Sequence, residues 1–209
     1  NEYMLSYDFM PMTKTEYYTL PEDENTLYMA NVYNVSDLAD EYGSINKVMF
    51  YAKELGGFYR IYLTPLSSDE SYPDISALGT SYCSGYIGAE GYVTADLSKP
   101  YTFDDSVSKI AVTVKIITDD QSRIIGVARE DCTRKYQPSI SDGESYLYVD
   151  GAWKDVTSDE MLYGNLCIRP VLVRRVSVTQ DSTISSNNLT YTDSDVTVDL
   201  NLNGNLLYS

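Results

Sequence analysis

The stretch KIAVTVKI at residues 109–116 decides the fold class of this chain. Every second residue in it is aliphatic: Ile110, Val112, Val114 and Ile116. Lysine and threonine hold most of the alternate positions. Successive side chains of an extended chain point to opposite faces, so this alternation predicts a half-buried antiparallel strand with one face toward a core.

Five further stretches have extended, apolar-rich patterns: residues 45–53, 58–63, 91–97, 145–149 and 165–173. Clusters of Gly, Asp and Ser lie between them, as expected for turns. Many short strands at this spacing predict an all-β fold, an antiparallel β-sandwich of the jelly-roll or lectin-like type. Residues 36–43 have helix-capping residues at both ends, but they are too few for more than one helical turn.

The charge balance excludes one class of partner. The chain has 209 residues, with 15 Lys and Arg against 31 Asp and Glu, a net charge of −16. A protein this acidic repels phosphate backbones, so no nucleic-acid partner is expected.

The longest apolar run is only a few residues, so no membrane span is expected either. The length is sufficient to bury a core without disulfides.

The chain contains no histidine. Ser-His-Asp and Cys-His catalytic pairs therefore cannot form within it, and imidazole-based metal sites are excluded as well. We accordingly predict no catalytic residues and no enzymatic activity. A two-carboxylate glycosidase is the enzymatic alternative, but no pair of acidic residues is singled out by the sequence.

The three cysteines could form a disulfide, and the acidic turns could bind a metal ion. Cys83, Cys132 and Cys167 are predicted to be reduced, structural thiols, with Cys167 buried in a strand and a Cys132–Cys167 disulfide as the alternative. No cofactor is expected. The acidic turns offer oxygen ligands, so a structural calcium ion stays open, although none of them extends to an EF-hand loop.

Aromatic residues are the candidate ligand contacts, since the chain has 21 Tyr, 4 Phe and a single Trp. Sugar rings stack on exposed aromatic faces. The candidates are Tyr82, Tyr86, Tyr92, Tyr146, Tyr148 and Trp153. The first three surround Gly85 and Gly88 and could line a groove. Tyr146 and Tyr148 share one strand face. Trp153 follows a turn and would lie at a loop rim or fill the core. Ordinary strand packing is the alternative for every tyrosine.

The end of the chain differs in composition. Residues 176–209 contain no Lys or Arg, and Val196, Val198, Leu200 and Leu202 alternate with polar residues. We place a boundary near residue 175, between a sandwich domain at 1–175 and a short β appendage at 176–209. About 34 residues cannot bury a core of their own, so the appendage either docks on the main body as ordered β-structure or begins a further module.

Several motifs occur in an order typical of a known family. ESYLYVDGAWKD at residues 144–155 is followed by YGNLCIR at 163–169. Upstream lie MANVY at 29–33, KVMFY at 47–51, and GYVTADL at 91–97. These segments resemble the lectin-like domain that follows the catalytic domain in bacterial papain-family cysteine peptidases. Arg169 and Pro170 depart from the usual Lys-Ala, and the tail from residue 176 lies outside the pattern.

The resemblance implies a function as well as a fold. It implies a β-sandwich in a secreted or cell-surface bacterial protein, where a monomeric, non-catalytic module holds the parent protein near a substrate. The peptidase Cys and His would lie on another domain. The expected partners are a glycan or protein surface and the parent's catalytic domain. The alternatives are a carbohydrate-binding module of a plant-polysaccharide-degrading enzyme or scaffold, and a purely structural spacer.

Overall fold

The computed structural model describes residues 2–8, 14–22, 24–38, 41–53, 56–104, 106–119, 124–130, 139–158 and 164–175. Contacts between residues divide the chain into two units, Asn1–Val176 and Ser177–Ser209, and every described residue belongs to the first. The predicted β appendage at 176–209 lies outside the described residues, so its order and its docking stay predictions. Cys132 also lies outside them.

The described residues form thirteen strands. They are β1 (Glu2–Met4), β2 (Lys14–Thr19), β3 (Thr26–Asn34), β4 (Tyr42–Ala52), β5 (Gly57–Leu66), β6 (Cys83–Ile87), β7 (Gly91–Thr102), β8 (Lys109–Ile117), β9 (Ile124–Glu130), β10 (Ser145–Val149), β11 (Ala152–Asp155), β12 (Asn165–Leu166) and β13 (Ile168–Arg174). The helical structure in the same residues is one 3-10 turn at Ile75–Ala77.

The strands make three antiparallel sheets. Their orders are β1-β13-β4-β7, β11-β10-β3-β8-β5-β6 and β12-β9-β2. Aliphatic and aromatic side chains from the facing sides of the four- and six-stranded sheets form one core, among them Ile45, Phe50, Ile61, Leu147 and Leu172. This arrangement confirms the predicted all-β, antiparallel sandwich. No helix in the described residues is long and apolar enough to cross a membrane.

The strand that decided the fold class is β8, at the centre of the six-stranded sheet between β3 and β5. Its alternating aliphatic residues lie in the core, as predicted. The sequence predicted that the other face of β8 would be exposed to solvent. That face is largely buried, because Ala111 and Thr113 are also fully buried. Only Lys109, Lys115 and Ile117 keep partial exposure. A central strand therefore has apolar neighbours on both faces for part of its length.

The stretch 165–173 was predicted as one strand, and the structure divides it. β12 pairs with β9 in the three-stranded sheet, whereas β13 pairs with β4 in the four-stranded sheet. Cys167 lies between them, and its carbonyl accepts a hydrogen bond from the Tyr51 backbone N–H at 3.0 Å. The chain thus changes sheets at Cys167, which apolar periodicity alone does not show.

Buried polar side chains connect the sheets at the point where the chain passes from β12 to β13. The Asn31 amide nitrogen donates to the Leu166 and Ile168 carbonyls at 3.0 and 3.1 Å, and the Tyr33 hydroxyl donates to the Ile168 carbonyl at 2.6 Å. The Ser145 hydroxyl donates to the Asn31 side-chain oxygen at 2.7 Å. Since buried carbonyls without partners are costly, these contacts fix how β3 sits against β12 and β13.

Candidate binding site on the outer face of the six-stranded sheet

The outer face of the six-stranded sheet carries a row of large side chains. Strand register places one residue from each of five neighbouring strands side by side: Trp153, Tyr148, Tyr28, Lys115 and Arg60. We call this set the outer row. Tyr148, Tyr28, Lys115 and Arg60 have the parity opposite to their core-facing neighbours, and Trp153 pairs with Tyr148 across the β10–β11 hairpin.

The aromatic members of the outer row contact one another edge to face. The ring centroids of Tyr148 and Trp153 are 5.5 Å apart, and those of Tyr28 and Tyr148 are 6.0 Å apart. The Lys115 ammonium lies over the Tyr28 ring, 5.1 Å from its centroid. Such contacts hold the rings in a fixed arrangement while leaving them half-buried. A ligand would meet an ordered aromatic surface.

One end of the outer face is covered by the segment that follows β5. Tyr72 packs its ring against Tyr146 and Trp153, with centroid distances of 5.6 and 6.4 Å. The Trp153 indole N–H donates to the Pro73 carbonyl at 2.7 Å. Beneath them lies a second apolar cluster that includes Tyr146 and Ala111. Trp153 is therefore not a plug in the core between the sheets; it packs on the outer face.

A small cleft adjoins the outer row at Tyr148. Its volume is about 210 Å³, and it lies between the β10–β11 hairpin and residues 18–21 and 24. The hairpin turns sharply because Asp150 and Gly151 both have positive φ, 53° and 74°. Side chains lining the cleft include Tyr18, Pro21, Glu24, Asp150 and Lys154. A volume below the roughly 300 Å³ of drug-sized pockets suits one small group, such as a single sugar unit.

The predicted groove of Tyr82, Tyr86 and Tyr92 is not formed. Tyr82 packs against Tyr101, with ring centroids 5.9 Å apart. Tyr86 points outward from β6 against Phe58 and is 58% exposed. Tyr92 lies on β7, in the other large sheet. Strand alternation and the change of sheet after β6 separate the three rings, so they do not face one space.

Tyr92 belongs to a buried ionic network instead. The Arg169 guanidinium donates from Nε to Asp8 Oδ2 at 2.9 Å and from Nη2 to the Tyr92 hydroxyl oxygen at 2.7 Å. It also lies over the Tyr92 ring, 4.5 Å from its centroid. Burial raises the pKa of Tyr92 well above its usual value. These contacts occupy the Tyr92 hydroxyl and ring, and no pattern in the sequence indicated the partner Asp8.

The thiols in the described part of the chain are not activated as nucleophiles. Cys83 and Cys167 are free thiols. Burial, and then nearby Asp96, raises the pKa of the Cys83 thiol to about 11, while burial raises that of Cys167 further. Both are thus protonated near neutral pH and poor nucleophiles. No three Asp, Glu or Cys side chains among the described residues are grouped to hold a metal ion. The expectation of no cofactor, with structural calcium as the open alternative, stays untested.

Comparisons with known proteins agree with this fold. The family model described as "Lectin like domain" matches residues 5–171. The solved structure of a clostridial cysteine protease, Cwp84, after propeptide cleavage has a TM-score of 0.66 at 20% identity, and the match covers 82% of this chain and 40% of that one. A structure of the cysteine protease and lectin-like domains of Cwp84, described as a surface layer associated protein of Clostridium difficile, has a TM-score of 0.60 at 20% identity, covering 78% and 36%. No curated protein matches.

The fold is that of a β-sandwich module. The family match covers most of the chain, and the chain belongs to the lectin-like domain family. It spans about 40% of the length of the solved Cwp84 chain, in which the lectin-like domain accompanies a separate cysteine protease domain. The chain is therefore a non-catalytic lectin-like module, and the resemblance seen in the sequence is confirmed.

Proposed function

We propose that this chain is the targeting module of a secreted or surface-associated bacterial protein and that it binds glycan through the outer row. The observation that carries the proposal is the contact chain of Trp153, Tyr148 and Tyr28 on a solvent-facing sheet surface. Binding there would hold an attached cysteine peptidase domain close to its substrates at the cell surface, as a monomeric accessory domain.

Aromatic side chains suit this role for a physical reason. Each ring offers a large apolar face to the C–H groups of a sugar, and tyrosine adds a hydroxyl that bonds to sugar hydroxyls. Contacts within the outer row already order the rings, so little conformational entropy is lost when a ligand binds. The adjoining cleft contributes polar side chains, Asp150 and Lys154 among them.

Affinity electrophoresis tests the proposal. We expect wild-type protein to be retarded in gels that contain solubilised bacterial cell-wall glycan, and Tyr148→Ala to lose most of that retardation. Tyr17→Ala is the matched control, because Tyr17 is 63% exposed on β2 in a different sheet. Retardation only by xylan, mannan or glucan would favour the plant-polysaccharide alternative. A folded protein that no glycan retards would leave the spacer alternative.

A further inference from the structure

Two cations stand directly opposite each other in the outer row. Strand register pairs Arg60 on β5 with Lys115 on β8, and both side chains lie on the outer face. Arg60 is exposed and Lys115 is half-buried. In antiparallel sheets, directly opposite residues have Cβ atoms about 5 Å apart, and like charges at such positions destabilise the pair. This chain therefore places a repulsive pair at the centre of a sheet.

Neither Arg60 nor Lys115 forms an ion pair in the described part of the chain. Six other basic residues there do: Lys47, Lys53, Arg129, Lys154, Arg169 and Arg174. Along the outer face of the six strands, the one acidic residue is Asp155 on β11. Its two oxygens already accept hydrogen bonds from the Gly143 and Thr157 backbone N–H groups at 2.7 and 3.0 Å. Arg60 and Lys115 are therefore a positive pair in the middle of the sheet, while the carboxylates of Glu24 and Asp150 lie at the cleft beyond Tyr148.

We propose that the outer row binds an acidic polysaccharide, with its sugar rings on Tyr28, Tyr148 and Trp153 and its anionic groups on Arg60 and Lys115. This inference rests on the proposed glycan-binding function and adds the charge class of the ligand. The planar guanidinium of Arg60 can take a carboxylate or phosphate oxygen pair, and the Lys115 ammonium supplies a second charge.

The surface continues past the cations. Phe58 and Tyr86, which pair across β5 and β6, are 49% and 58% exposed and lie one position further along the same face. An extended polymer could therefore meet aromatic rings on both sides of the positive pair. A nucleic acid would also offer rings and phosphates, but the net charge of −16 repels a long phosphate backbone. A glycan with spaced acidic groups fits better.

The test compares polymers that differ chiefly in charge. One pair is a partly esterified polygalacturonate with spaced free carboxylates and its fully methyl-esterified form, and the other is yeast phosphomannan and neutral mannan. The first pair presents carboxylates and the second presents phosphodiesters. We expect wild-type protein to bind at least one acidic polymer over its neutral partner, with affinity that falls as salt is raised. Arg60→Gln and Lys115→Gln should each weaken that binding about tenfold.

Lys99→Gln is the matched control, because Lys99 also lies over a tyrosine ring, that of Tyr82, but on β7 in the four-stranded sheet. It should leave the binding unchanged. Equal binding to the charged and neutral polymers would overturn the inference while leaving the proposed function in place. No binding to either acidic polymer, binding insensitive to Arg60 and Lys115, or tighter binding to single-stranded DNA would also overturn it.

Discussion

Arg169 on β13 and Asp8 beyond β1 form an ion pair in the interior, with the guanidinium Nε 2.9 Å from Asp8 Oδ2. The Asp8 side chain is fully buried and that of Arg169 is 15% exposed. The Ser6 hydroxyl donates to the other Asp8 oxygen at 2.8 Å. This pair joins the N-terminal segment to the strand whose Arg-Pro sequence departs from the family pattern.

Replacing Asp8 should destabilise the fold strongly. In Asp8→Asn the guanidinium of Arg169 would keep its charge but lose its buried counter-charge. We expect the free energy of unfolding to fall by roughly 3 kcal/mol. Urea denaturation followed by circular dichroism measures this. Glu2→Gln is the control, because it breaks the exposed Glu2–Lys47 pair and should change stability little. A similarly small effect of Asp8→Asn would contradict this account of the network.

The polar contacts between sheets give a second prediction. Tyr33→Phe removes the hydroxyl that donates to the Ile168 carbonyl, but that carbonyl keeps its hydrogen bond from Asn31. We expect a loss of about 1 kcal/mol. Asn31→Leu should cost more, because it removes hydrogen bonds to Leu166, Ile168 and Ser145 together. Equal effects of the two changes in the same denaturation experiment would be inconsistent with Asn31 as the main link.

The Cys83 thiol predicts a pH dependence. Its pKa is raised from 9.0 to about 11 in the folded protein. The folded state therefore holds this proton more tightly than the unfolded state does. The resulting stability is present below pH 9 and is lost as the pH rises from 9 to about 11. Thermal unfolding across this range should show a decline that is smaller in Cys83→Ala. An unchanged pH profile in that variant would assign the decline to other groups, such as the buried tyrosines.

Proteolysis assays test the absence of catalysis. The purified chain should not cleave casein or generic peptides, with or without a reducing agent, because both described thiols are protonated near neutral pH and no imidazole is present to activate them. Iodoacetamide should correspondingly label Cys83 and Cys167 slowly in the native protein, as peptide mapping would show. Thiol-dependent cleavage that disappears in Cys83→Ala or Cys167→Ala would contradict the non-catalytic assignment.

The sequence predicted the fold class well where alternation was regular. The pattern of residues 109–116 placed Ile110 and Val112 in the core, and the parity of Tyr146 against Leu147 separated the outer and inner faces of β10 correctly. The strands β2 and β9 were not predicted. Apolar and polar residues do not alternate cleanly in either, and their pairing in a third sheet depends on contacts between distant segments.

Three residues of the candidate site, Tyr146, Tyr148 and Trp153, were among the candidate ligand contacts in the sequence, and that they bind a ligand stays a prediction. The structure brings them together because a short hairpin joins their strands. Tyr28, Lys115 and Arg60 were missed, since they come from three strands whose neighbours depend on the topology of the whole sheet. The like-charged pair of Arg60 and Lys115 could not be predicted, because it depends on the register between β5 and β8.

Intrinsic fluorescence tests the central claim most directly, because the single tryptophan of the chain, Trp153, is a member of the outer row. Titration with a solubilised bacterial cell-wall glycan should change Trp153 emission until the signal saturates. Wild type and Tyr17→Ala should behave alike. Tyr148→Ala should abolish the change while keeping the native circular dichroism spectrum. Glycan binding detected by calorimetry without any change in Trp153 emission, or with full affinity in Tyr148→Ala, would contradict the account.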